Sequence, residues 1–263
     1  MSKRTTSVAG TFYPLSAQEI RGYIGGFNEG KDEHESKLKA RAIISPHAGY
    51  VFSGECANEA YRRIDVSKIK RVIVIGPSHR IYLKGASVAL YDSYESPCED
   101  LEIDLEYSNQ LIHNYEFLNF NSLAHSEHST ETQVPFIEYY CNEVKLVEIV
   151  YGDMDYMDLV PIIQKALSEE ENLVVISTDL SHFHELSVAN RHDAVCKTAI
   201  EKMSVDEVDH GCEACGMIGV KALLEVGNNI GLKSQIMDYR TSYDTNSDAS
   251  RVVGYLSVIM EEK

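Results

Sequence analysis

The chain has 263 residues, with 24 Lys and Arg against 41 Asp and Glu, a formal charge of −17 when its ten histidines are neutral. That balance argues against nucleic acid as a partner, because no cationic stripe is available to displace counterions from phosphates; anionic membrane surfaces are disfavoured for the same reason. The composition, 44% hydrophobic and 25% charged, is that of a globular protein. No apolar run nears the ~20 residues that span a bilayer. Residues 1–10 resemble no signal peptide, so a cytoplasmic location is expected.

Taken in chain order, apolar residues three or four apart predict a first helix over 17–27, followed by a solvated, mixed-charge loop at 29–39. Strands are predicted at 41–45 (RAIIS), 71–76 (RVIVIG), 87–90, 145–150 (KLVEIV), 173–177 (LVVIS) and 252–260. Helical spacing returns at 54–64, 103–115, 154–167, 187–203 and 216–226. Several strands are continuous apolar runs, as expected when both faces are covered. The alternation predicts a three-layer α/β/α sandwich with a mostly parallel or mixed central sheet. No repeat or change of composition divides the chain, so one domain over 1–263 is expected.

Three predicted strands run directly into polar signatures: Ser45-Pro46-His47-Ala48-Gly49-Tyr50, Gly76-Pro77-Ser78-His79-Arg80 and Ser177-Thr178-Asp179-Leu180-Ser181-His182. Open α/β sheets bind ligands beyond the carboxyl ends of their strands. Parallel strands would therefore bring His47, His79, Asp179 and His182 to one rim. A proline after a strand stops the ladder and fixes the turn, holding the next imidazole at a set direction; a strand-capping role for each histidine is the plain alternative. Two histidines need a third ligand, and Asp244, Asp248, Asp179, His182 and His128 are candidates. Two histidines with one carboxylate suit non-haem Fe(II), while zinc would add a water.

The densest polar cluster is His125-Ser126-Glu127-His128-Ser129-Thr130-Glu131-Thr132-Gln133. If a helix begins at Ser129 as N-cap, His128 and Glu131 share a face and could serve as an acid/base pair; a solvated first turn is the other reading. Cys212 and Cys215 form a CxxC, read as two helix-packing thiols, and all six cysteines are expected to be reduced.

Together, VAGTFYP at 8–14, SPHAGYVFSG at 45–54, IGPSH at 75–79, EHSTETQVPF at 127–136, STDLSHF at 177–183, EACG at 213–216 and VVGY at 252–255 resemble the Memo family over nearly the whole chain. The resemblance implies a fold like that of the class III extradiol dioxygenases and a metal pocket made by His47, His79 and a third ligand nearer the C-terminus. The vertebrate branch has a cysteine there. The segment matched to it here, 241–248, has none, so Asp244 is the expected third ligand, with Asp248 as its neighbour in the same loop. That set favours Fe(II), with Zn or Cu as alternatives. His128, Asp179 and His182 are expected around the metal in acid/base roles. The implied function is a metal-dependent, dioxygenase-like oxidoreductase with a small-molecule or peptide ligand in the metal pocket. A non-catalytic peptide- or protein-binding module and a zinc hydrolase are the alternatives. A homo-oligomer is compatible with the sequence.

Overall fold

The computed structural model describes residues 2–32 and 34–262. Its larger sheet has nine strands: β1 (Ala40–Ser45), β2 (Arg71–Pro77), β3 (Ala86–Val88), β4 (Leu118–Asn119), β5 (Lys145–Tyr151), β6 (Asn172–Ser177), β7 (His182–His184), β8 (Leu232–Thr241) and β9 (Val252–Glu262). The four apolar runs β1, β6, β2 and β5 lie side by side, all parallel. Antiparallel strands flank them, β3 beside β5 and β9 beside β1, with β7 and β8 both pairing with β9. A small second sheet joins Lys3–Arg4, Ser93–Tyr94 and Leu101–Glu102.

The central strands read as continuous apolar runs because their alternate side chains enter two different cores. Ala42, Ile44, Ile73, Ile75, Val147 and Ile176 meet one set of helices, while Ile43, Val72, Val74, Leu146 and Val175 meet another. Ten helices complete the described chain: α1 (Ala17–Asn28), α2 (Glu55–Tyr61), α3 (Leu105–Asn114), α4 (His128–Glu131), α5 (Val134–Tyr140), α6 (Tyr156–Leu167), α7 (Leu186–Glu201), α8 (Val205–Val208), α9 (Met217–Ile230) and α10 (Tyr243–Asn246). The first core takes α6, α7 and α9 through Leu159, Ile163, Ala199, Leu223 and Leu224; the second takes α1, α2 and α5 through Ile20, Ile24, Tyr61 and Phe136. The result is the three-layer α/β/α arrangement around a mixed sheet. No helix among the described residues is long and apolar enough to cross a membrane.

Local chemistry sets several boundaries. Ser16 caps α1 by accepting the Glu19 amide and donating its hydroxyl to the Glu19 carboxylate at 2.7 Å, satisfying one of the free N-terminal amides. Helix α2 is preceded by a wide π-type turn, Tyr50–Gly54, so the helical path starts before the predicted residue 54. Strand β8 escaped prediction because its side chains are mostly half-exposed and polar, LKSQIMDYRT; its ladder with β9 holds it instead.

The cysteines require a correction. Cys196 on α7 and Cys212 are joined by a disulfide, whereas Cys56, Cys98, Cys141 and Cys215 are free. The CxxC is therefore not a pair of packing thiols: Cys212 is tied back to α7, and Cys215 faces elsewhere. Close placement in space, which spacing along the chain does not report, decides the pairing.

One half-buried carboxyl carries a pH signature. Burial pushes Glu138 up to about 7, against the Ser96 hydroxyl and Glu99 amide that hydrogen-bond to it. The folded protein keeps this proton after an unfolded chain would release it near 4.5, so the stability from Glu138 falls as pH rises through that window. Thermal melts from pH 5 to 8 should show Glu138→Gln removing this decline, gaining roughly 2 kcal/mol at pH 8 after allowance for partial exposure.

Candidate functional site

Three of the four parallel strands deliver the expected residues to one rim. β1 ends at Ser45 and passes through Pro46 to His47; β2 ends at Pro77 and reaches His79; β6 ends at Ser177 and reaches Asp179. The His47 and His79 rings are 5.2 Å apart between centroids, and His128 joins them at 5.4 and 4.7 Å.

His47 is buried and held at three points. Its backbone N–H donates to Asp179 Oδ1 at 2.8 Å, and its Nδ1 lies 2.9 Å from Ser177 Oγ. The Ser177 hydroxyl donates its single proton to the Ser129 carbonyl and accepts from Gln133 Nε2 at 3.0 Å. Its remaining capacity is therefore as an acceptor, which assigns the proton of His47 to Nδ1 and leaves a lone pair on Nε2. Burial lowers the His47 pKa to about 4, over the opposing charge of Asp179, so the ring is neutral near pH 7.

The group facing that lone pair is Cys215, whose Sγ lies 3.3 Å from His47 Nε2. Cys215 also accepts the Asp179 backbone N–H at 3.2 Å. Burial pushes its thiol up to about 12, so without a metal it is protonated and donates to His47. One donor atom from each of His47, His79 and Cys215 lies within 4.8 Å of the others, close enough for a single ion to bridge all three.

Glu127 anchors the other side. Its Oε2 accepts the His79 and Arg80 amides at 2.6 and 3.2 Å, and its Oε1 accepts the His128 amide at 2.8 Å and lies 2.8 Å from His128 Nδ1. Burial works to raise this carboxyl, but hydrogen bonds from His128 and His79 outweigh it and hold Glu127 well below the ordinary range. Glu127, not Ser129, is the N-cap of α4. Glu131 points away from the histidines to Arg4, Ser7, Val8 and Tyr13.

The other expected residues, Asp244, Asp248 and His182, are not among the donors grouped with His47 and His79. Asp244 accepts the Thr241 amide at 2.7 Å and the Thr241 hydroxyl at 3.2 Å, on an exposed helical turn. Asp248 is exposed and caps Ser250. His182 sits on β7 in register with Val253, its ring 5.8 Å from that of Phe183. Two residues not expected at the site, Cys215 and Glu127, stand beside the histidines. Both stand inside motifs already noticed, EACG and EHSTETQVPF. For Cys215 the usable signal was its position at the start of α9; weighing it as half of a CxxC hid that.

Gly76, at the end of β2, lets α4 approach. A Cβ there would lie 2.7 Å from Ser129 Oγ and 3.0 Å from Thr130 Cγ2. Gly76→Ala should cost about 1–3 kcal/mol in denaturant unfolding by forcing the His128 turn outward.

Fold and site together define an α/β/α protein with a histidine and cysteine pocket at the carboxyl ends of its parallel strands. A family model for Memo-like proteins matches residues 4–259, and the chain belongs to that family. Similar relatives are MEMO1 family proteins of Aquifex aeolicus, 34% identical over 98% of this chain and 99% of that one, and of Desulfurococcus amylolyticus, 32% identical over 98% and 99%. One from Thermoplasma volcanium is 29% identical over 97% of both.

Proposed function

We propose that His47, His79 and Cys215 hold a transition-metal ion and that the pocket performs oxidoreductase chemistry on a small ligand entering beside His79. The observation that carries this reading is the neutral His47 ring, its Nδ1–H committed to Ser177 and its Nε2 lone pair aimed at the Cys215 thiol 3.3 Å away. Fixing the distal ring nitrogen is the usual way a protein prepares an imidazole for a metal. A histidine, histidine and thiolate set is softer than the set with Asp244, and it suits Cu or Zn at least as well as Fe(II). A bound ion would polarise a ligated oxygen and lower its pKa.

The protein groups have separable tasks. Asp179 fixes the His47 turn through the backbone and donates its own amide to Cys215, easing loss of the thiol proton. His128, 2.8 Å from the Glu127 carboxylate, is oriented to move a proton to or from a ligand beside His79. His79 is the most exposed of the three rings, its side chain 31% accessible against 2% for His47, so the pocket opens on its side.

The test is elemental analysis of protein purified anaerobically without chelators. About one equivalent of metal is expected in the wild type, and less than about a tenth in His79→Ala. Folded wild type that neither contains nor takes up Cu, Zn or Fe(II) would refute the reading.

A further inference from the structure

A second cluster of ligating side chains lies outside this pocket. His184 on β7, His192 on α7 and Glu213, two residues before Cys215, each place a donor atom within 4.8 Å of the others. Glu213 lies between the rings: Oε2 is 2.6 Å from His184 Nε2, and Oε1 is 3.6 Å from His192 Nδ1. The two imidazoles stack at 5.1 Å with 21° between their planes.

Three independent features bring these residues together. His192 and Cys196 are four apart on α7 and share a face; the disulfide from Cys196 to Cys212 draws the following residue, Glu213, over that face. Cys196 Sγ also lies 3.6 Å from the Glu213 carbonyl. On β7 the register slips between His182 and His184, and Phe183 has a φ of 61°. A bulge of this kind re-aims the next side chain, and here that side chain is His184, directed at Glu213. The same His192 Nδ1 also lies 3.0 Å from the Gly211 carbonyl, so that nitrogen carries the ring proton and Nε2 keeps the lone pair an ion would use.

From this arrangement we propose that His184, His192 and Glu213 form a second cation site, for Zn²⁺ or a similar borderline divalent ion. Two imidazoles and one carboxylate are a zinc donor set, and the side chains are 34%, 32% and 44% accessible, leaving a face open to water. Tetrahedral donors about 2.1 Å from an ion stand about 3.4 Å apart, so the Glu213 carboxylate must open by nearly an ångström from its 2.6 Å contact with His184, an adjustment that partly exposed side chains can make. Occupancy would pin residues 211–216, the segment that presents Cys215 to His47.

Zn²⁺ binding to the full chain, followed by competition with a chromophoric chelator while the disulfide is intact, tests this independently of the first pocket. In a His47→Ala/Cys215→Ser background, one equivalent should remain bound, and adding His184→Gln/His192→Gln should weaken it at least about 100-fold. If the first pocket takes no metal, the wild type itself binds one equivalent that is lost on His184→Gln/His192→Gln. The two readings therefore fail separately. No Zn²⁺ bound in the His47→Ala/Cys215→Ser background, or binding unaffected by the His184 and His192 replacements, would overturn the proposal. On wild-type protein, the imidazole NMR signals of His184 and His192 should shift as Zn²⁺ is added; signals unmoved at saturation would also overturn it.

Discussion

Cys215→Ser should weaken metal binding at the His47 pocket by at least about 100-fold, whereas Asp244→Ala should change it by less than about twofold. The contrast follows from position. Cys215 Sγ lies 3.3 Å from a lone pair that Ser177 has left free, while the Asp244 carboxylate is spent on Thr241. The hydroxyl of serine is a harder and weaker donor than a thiolate, so the loss should be larger for Cu(I) or Zn²⁺ than for Fe(II). Competition titrations with a chelator of known affinity, run in parallel on wild type and both variants, read this out. Equal losses in the two variants would return Asp244 to the ligand set.

The second large effect concerns stability. Arg4 is buried, 3% accessible, and its guanidinium pairs with the fully buried Glu131 carboxylate and donates to the Glu127 carbonyl at 3.1 Å. Glu131 also accepts from the Val8 amide and the Tyr13 hydroxyl, each at 2.9 Å, so this pair fastens the N-terminal segment beneath α4. Arg4→Ala strands a buried negative charge and should cost about 3–5 kcal/mol in chemical unfolding at pH 7. Burial works to raise Glu131, but Arg4 and the hydrogen bonds overcome it and hold the carboxyl low. The contribution is therefore complete above the unfolded value of 4.5 and is lost as pH falls through the folded one. Because α4 carries His128, Arg4→Ala should also loosen the pocket. Arg4→Met/Glu131→Leu, which removes both charges, should cost less than the sum of the single changes.

Much of this architecture was legible in the sequence because the signals were local and strong. RAIIS, RVIVIG, KLVEIV and LVVIS are short continuous apolar runs of the kind buried strands make, and each of these four strands begins and ends within a residue of its predicted bounds. The Pro46-His47 and Pro77-Ser78-His79 turns were equally clear, since a strand end followed by proline and histidine defines both place and direction. What failed were features set by distance in space. Cys215 was legible as a residue but not as a neighbour of His47, 168 positions away, and the bond from Cys212 to Cys196 obscured it further. Asp244 was expected as a ligand because its loop matches the segment that carries a cysteine in the vertebrate branch; its hydrogen bonds to Thr241 depend on folded geometry that the match does not report. Glu131 carried the same ambiguity until Arg4, 127 residues earlier, was seen to claim it.

The most direct test is the spectrum of the Co²⁺-loaded protein, with the coordination sphere read by X-ray absorption. A thiolate-to-metal charge-transfer band and one sulfur scatterer, both lost in Cys215→Ser and kept in Asp244→Ala, are the predicted result. A wild-type sphere of nitrogen and oxygen alone at the His47 pocket would contradict it.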